Sequence, residues 1–262
     1  MGVRTKVFGR YAWLLLEGVA NFFDEYITEE TDPLCLANMK SYLTEFYFLL
    51  GFVLPCIYCR ISYQEFTDPE HPHENTDLYK MLTLKDGAKR FVYNLHGRVN
   101  NKLFHQELAE VVHDKEQTIR VHEKWDKHNI SFETALRTRF PRVDSECFWH
   151  SMIVFMALAM CDFRAEYSCY LYRFFWVMGK MFAYSDNAKV KRLTQAYIEG
   201  MKQSLPLWKS DMNLSERLDI VWLIKKHIFN VGHWKFNHTR ASFEEKCRAS
   251  IVGCDKTTKS TT

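Results

Sequence analysis

Between residues 9 and 27 the large side chains Trp13, Leu16, Ala20, Phe23 and Ile27 recur at alternating spacings of three and four. That is the stripe of an amphipathic helix. Asp32 and Pro33 break the pattern, and Met39, Leu43, Phe46, Leu50 and Val53 then restore the same period, predicting a second helix that ends near Leu54. Pro55 suits the first position of a third helix, where no amide donor is needed and φ is already helical, so Cys56 and Cys59 are expected to open it. Residues 66–75 turn polar, with Pro69 and Pro72, and read as a surface loop. Over 85–103, Ala88, Val92, His96, Val99 and Leu103 share one face of a fourth helix, whereas residues 107–128 carry dense charge of both signs and read as a solvated connection. Four helices joined by one or two loops make a bundle.

Beyond residue 130 the pattern changes. A short segment begins near Ser131 and ends at Phe140 and Pro141, and helical patterns follow over 148–163, 167–184, 188–204 and 215–229. Ser242 with Glu245 three residues on is a capping box, predicting a last helix that stops near Gly253. The expected fold is therefore all-α: a four-helix bundle with a short extra helix over 1–130, followed by a second all-helical unit over 131–262. The longest apolar run, 148–161, is interrupted by His150 and is too short for a bilayer, which predicts a buried helix and no membrane span. Residues 1–6 lack an apolar run, and Lys6 stands where a myristoylation signal has Ser or Thr, so neither a secretion signal nor a lipid anchor is expected. The sequons at Asn129, Asn213 and Asn237 then read as chance matches.

Composition sharpens this in three ways. Of 262 residues 47% are hydrophobic, enough for a sizeable core, and 10 Gly with 6 Pro leave few turns. The net charge of +3 is mild and its Lys and Arg are interspersed with acids, so no nucleic-acid partner is implied. Eight cysteines without an export signal are expected as thiols, metal ligands or catalytic groups rather than as a disulfide framework.

Cys56 and Cys59, at i and i+3, lie on one side of a helix start, where unpaired amides and the helix dipole favour thiolate. The spacing suits a redox pair; it equally suits two buried cysteines or half of a zinc site, although no second CxxC is present. A thioredoxin-like exchanger needs strands around the motif, and none of the flanking segments alternates as a strand does. His96 and Asn100, one turn apart on the fourth helix beside Val99 and Lys102, need polar partners where they are buried. A bound polar ligand or a backbone carbonyl would serve. Trp13 reads equally as core or as a ligand platform.

Gly9-Arg10-Tyr11-Ala12-Trp13-Leu14-Leu15-Leu16, then Pro55-Cys56-Ile57-Tyr58-Cys59, then His96-Gly97-Arg98-Val99-Asn100-Asn101-Lys102-Leu103 resembles the Erv/ALR flavin-linked sulfhydryl oxidases in order and spacing. The family pattern is approximately G-R-x-x-W-x-x-L-H, P-C-x-x-C and H-N-x-V-N-x-x-L. The resemblance spans about residues 5–130 and is nearest in look to the oxidases of giant DNA viruses, which also carry a long helical C-terminal extension. It implies that Gly9, Arg10 and Trp13 on the first helix, with His96, Val99, Asn100 and Lys102 on the fourth, hold FAD. Phe91 and Trp125 match family aromatic positions more loosely. Glu17 stands where the family has a flavin-contacting histidine, Gly97 replaces the first Asn, and no cysteine pair follows at the family's structural-disulfide positions.

The implied activity is thiol oxidation in protein dithiols with reduction of O2 to H2O2, Cys56 being the outer sulfur and Cys59 the inner one beside the flavin. The same resemblance implies a homodimer through the first two helices, and host cytoplasm, at the virus factory, or the virion as location. It also makes Cys35, or Cys247 and Cys254, candidates for a shuttle; otherwise Cys35, Cys147, Cys161, Cys169, Cys247 and Cys254 read as buried thiols. His71, His73, His122 and His128 are too scattered to predict a metal. A flavin-free helical scaffold and a zinc-stabilised module using Cys56 and Cys59 are the rival readings.

Overall fold

The computed structural model describes residues 3, 5–27, 31–68, 77–162, 164–209, 211–236 and 238–251. Its helices are α1 (Thr5–Tyr26), α2 (Pro33–Val53), α3 (Ile57–Thr67), α4 (Leu78–Met81), α5 (Gly87–Val111), α6 (Lys115–Asp126), α7 (Phe132–Thr138), α8 (Glu146–Cys161), α9 (Ser168–Phe182), α10 (Ala188–Ser204), α11 (Leu214–Gly232) and α12 (Arg240–Ser250). Among the described residues there is no strand, only an isolated antiparallel bridge between Val3 and Ile251. The all-α class expected from the periodicity is thus what the chain adopts. No helix among the described residues is long and apolar enough to cross a membrane.

Local chemistry explains the boundaries. Asp32 caps α2, its Oδ1 accepting from the amides of Leu34 and Cys35 at 3.0 Å each. Pro55 does not begin α3 as its sequence context suggests. Its carbonyl accepts the Val3 amide at 2.7 Å while the Cys56 amide turns back to Leu54 O at 2.8 Å, so Cys56 is an extended cap residue (φ −155°, ψ 122°). The highly charged 107–128 stretch is not merely a solvated connection. α5 continues to Val111, and Asp114 caps α6 by accepting from the Glu116 and Gln117 amides at 3.0 Å. α6 folds back on α5 through Lys124 and Trp125, which both donate to the Glu107 carboxylate. In α12 the cap is Thr239 rather than Ser242, because the Ser242 amide is itself the capped donor at 3.2 Å. The expected stop at Gly253 lies outside the described residues.

α5 receives its cap from elsewhere in the fold. Asp86, in the left-handed region at φ 53°, offers no side-chain cap. Asp24 of α1 accepts the amides of Ala88 and Lys89 at 3.2 and 2.8 Å instead. Gly87 is needed there because a Cβ would stand 2.1 Å from Met81 O.

One hydrophobic core runs from Val3 to Cys247. α1 packs against α5 and α8, and α2 against α3 and α9. Tyr47 ties the first half together: its hydroxyl donates to Leu16 O (3.2 Å), its own carbonyl accepts from Tyr63 (2.6 Å), and its ring meets Phe91 edge-on at 4.9 Å. Residue 130 falls in the connection between α6 and α7. Across it runs a buried ion pair, Arg60 Nη1 to Asp162 Oδ2 at 2.8 Å, in which Arg60 also donates to Leu54 O at 2.6 Å.

Candidate functional site

Cys56 and Cys59 sit where α3 begins, after the turn that Val3 fastens. Cys59 Sγ lies 3.3 Å from Thr5 Oγ1 in the first turn of α1. Cys56 is buried and Cys59 half-buried, the reverse of the exposure expected for an outer Cys56; the extended cap conformation turns Cys56 into the core. Around them Ile57, Tyr58 and Ile61 are exposed, an apolar rim on the outer face of α3's first turns.

The far end of α3 meets α5. Lys102 Nζ donates to Ser62 Oγ at 2.7 Å, lies 3.5 Å from Glu65 and sits over the Phe66 ring, which Arg98 also approaches. Between them opens a cleft of about 460 Å3, lined on its polar side by Asn94, Arg98, Asn100, Asn101, Lys102 and Arg139. Its back wall is the 128–130 segment, held by the Tyr93 hydroxyl donating to Ile130 O at 2.7 Å.

Next to the cleft, Trp13 and His96 stack with centroids 3.9 Å apart and planes 9° from parallel. His96 Nδ1 stands 3.4 Å from Glu17 Oε1 and 3.2 Å from Arg139 Nη1. A ring protonated on Nε2 alone accepts from Arg139, and a ring with Nδ1–H donates to Glu17, so the tautomer chooses the partner. Arg139 reaches from the cleft to this stack.

The fold therefore brings together Trp13, Glu17 and His96, places Asn100 and Lys102 in the adjoining cleft, and sets Cys59 against α1. Val99 is half-buried on the same helix. Arg10 is exposed, and Gly9 is half-buried with only an ordinary 3.8 Å contact awaiting a Cβ, so packing does not require glycine there. Gly97 is exposed on the cleft edge with nothing within 4 Å of a Cβ. Phe91 does not join this group: it is buried against Tyr47 as core. Trp125 belongs to α6, bonded to Glu107 and 5.4 Å from the His128 ring, which itself lines the cleft. His71, His73 and Cys254 lie outside the described residues. Cys147 and Cys169 are exposed rather than buried, since both face outward near the starts of α8 and α9.

Arg139, Arg98, Asn94 and Asn101 were not among the residues expected in the site. Arg98 and Asn101 lie inside the His96-to-Leu103 segment that drew attention, but Arg139 is 43 residues from its partner and belongs to no motif.

FAD is the group whose fit this site invites testing. Three cations and four side-chain amides around one cleft match a diphosphate and a ribose, and the cleft falls within the range of small-molecule sites. The Trp13–His96 stack offers flat faces to a ring system. At 3.9 Å the two rings leave no gap between them, so a planar ligand stacks on an outer face or parts the pair. Comparison with family models, curated proteins and solved structures finds no match to this chain.

Proposed function

We propose that the chain is an FAD-linked thiol oxidase, built on a four-helix unit of α1, α2, α3 and α5, that forms disulfides in protein dithiols and passes the electrons to O2. The observation that supports it is that three segments separated by forty residues and more touch one another pairwise, Thr5 against Cys59, Trp13 against His96, and Lys102 against Ser62. A zinc module would use the two cysteines without requiring the cationic cleft.

In this reading Arg98, Lys102 and Arg139 hold the diphosphate, Asn100 and Asn101 hold polar edges, and Trp13 with His96 supplies a stacking face. When bound, FAD supplies the two-electron acceptor and the route to oxygen. The chain's own chemistry is thiol–disulfide exchange. A substrate thiolate attacks the oxidised Cys56–Cys59 pair, one cysteine leaves as thiolate, and a second substrate thiol resolves the mixed disulfide, so one disulfide is made and one is reduced. The exposed Ile57, Tyr58 and Ile61 give an apolar surface on which an unfolded or extended substrate segment rests.

The test is oxygen consumption by the purified chain with a small dithiol, together with the Cys56→Ser and Cys59→Ser variants. The reading expects turnover in the parent and loss of it in both variants with FAD retained. Equal turnover in either variant contradicts the assignment of that sulfur. Rates of alkylation at the two positions in reduced protein decide which sulfur meets the substrate first.

A further inference from the structure

Cys161 closes α8 and Cys247 lies on the buried face of α12, 86 residues later. Neither is in a disulfide. Cys161 Sγ lies 3.9 Å from Cys247 O, and the two thiols are near enough to shift each other's ionisation. We infer that Cys161 and Cys247 form a second thiol–disulfide couple, a clasp that fastens α12 onto α8 when oxidised.

Four features carry this. The two residues meet where α12 packs on α8, with Cys161 Sγ already 3.9 Å from the Cys247 backbone, within the reach that a disulfide between them needs. Cys161 is only half-buried, which leaves a way in for a small disulfide. The surroundings are cationic: Arg217 and Arg248 face Cys161 and Arg240 faces Cys247, while the carboxylates nearby are themselves engaged, Glu244 by Arg240 and Arg248 and Asp162 by Arg60. Such electropositive, partly accessible positions are where thiols react. The neighbouring thiol draws the Cys247 ionisation down and, together with burial, pushes that of Cys161 up, so Cys247 is the sulfur that ionises first once the small disulfide has entered beside Cys161.

The electrons balance with any small-molecule disulfide of the glutathione class as oxidant. Cys247 thiolate attacks one sulfur of that disulfide, a sulfur–sulfur bond forms, and one small thiolate leaves. Cys161 gives its proton to water and attacks Cys247 Sγ, and the second small thiolate leaves. Two protein thiols become one disulfide while one small disulfide becomes two thiols.

The clasp has a consequence beyond α12. Ile251, just after that helix, bridges Val3, whose amide in turn donates to Pro55 O beside Cys56. On the other side Asp162, next to Cys161, holds Arg60, next to Cys59. Fastening α12 therefore stiffens both ends of the Cys56–Cys59 turn.

The full chain is equilibrated in mixtures of oxidised and reduced glutathione, its thiols are trapped by alkylation, and the peptides are identified by mass. We expect residues 161 and 247 to lose their labels together and to appear as one disulfide-linked peptide. The same result is expected in a Cys56→Ser/Cys59→Ser variant, which separates the clasp from the proposed oxidase activity. Retention of both labels at every mixture overturns the inference, as does a bond from Cys247 to Cys254. In Cys161→Ser, Cys247 is expected to stop at the mixed disulfide with glutathione; an unmodified Cys247 overturns its role as attacking sulfur. Oxidation is also expected to slow amide exchange over 240–251 in the parent chain, and unchanged exchange there overturns the fastening of α12.

Discussion

Asp162→Ala leaves the Arg60 guanidinium buried without its counter-ion. Arg60 and Asp162 side chains are 9% and 5% exposed, and the two groups meet at 2.8 Å. At that distance an effective dielectric constant of about 20 gives an attraction of about 6 kcal/mol. Part of it returns when water enters the space of the lost carboxylate, and removing one partner of such a pair characteristically costs about 3–5 kcal/mol. Relief from within is small, because Arg60 keeps one carbonyl partner, Leu54 O, and its buried Nη2 already has no hydrogen-bond partner among the described residues. For a chain of 262 residues the unfolding entropy is roughly 0.55 kcal/mol per kelvin, so Tm should fall by roughly 5–9 °C. Denaturant and thermal unfolding followed by circular dichroism measure both. The Arg60→Met/Asp162→Leu double variant, which removes the pair together, should stay within about 1 kcal/mol of the parent. A single variant that loses less than about 1 kcal/mol, or a double variant that is no better than the single, would refute the reasoning.

Three further outcomes follow from the fold. Gly18→Ala puts a Cβ 2.4 Å from the Phe148 ring where α1 crosses α8, and should destabilise by roughly 1–3 kcal/mol in the same unfolding assay; a neutral result means that the crossing is looser than described. Gly97→Ala meets nothing within 4 Å and should stabilise α5 by about 0.5–1 kcal/mol, so an unchanged or lower midpoint contradicts the open surface at that position. Burial pushes the Asp24 carboxyl up from 3.8 to about 6, against the amides of Lys89 and Ala88 that pull it down. The folded state then holds the proton more tightly than the unfolded state, so this group's contribution is greatest below about pH 4. It declines by up to about 3 kcal/mol as pH rises through 6. Subtracting the stability–pH curve of Asp24→Asn from that of the parent should expose this slope between pH 4 and 6, and parallel curves contradict it.

The helix inventory was legible because most elements carry an apolar stripe facing one core, and Asp32 and Ser131, where the pattern breaks or begins, cap helices in place; the cap at Asn213 was not read from the sequence. What escaped is non-local. α6 has one buried residue, Val121, so its stripe is too thin to see, and the bonds of Lys124 and Trp125 to Glu107 that hold it down span some eighteen residues. The cap on α5 is Asp24, sixty-odd residues earlier, which no local pattern encodes. The Cys56–Cys59 turn was visible as a motif, but the exposure of its two sulfurs depends on Val3, just ahead of α1, fastening Pro55 some fifty residues away. In the site, Trp13, His96, Asn100 and Lys102 stood out as outliers on apolar stripes. Arg139 did not, because an arginine in a short polar helix–loop segment is ordinary until its distance to His96 is known. Phe91 shows the converse: an aromatic at a suggestive spacing that the fold uses as core.

The claim on which the rest depends is that this chain holds a flavin beside Cys56 and Cys59. The direct measurement is the visible absorption spectrum of the purified chain, followed by denaturation and identification of whatever chromophore is released. The account predicts a yellow protein that releases FAD in near-equimolar amount and is bleached by a dithiol in the absence of oxygen, with bleaching lost in Cys59→Ser. A colourless protein that takes up no FAD when it is supplied would contradict it.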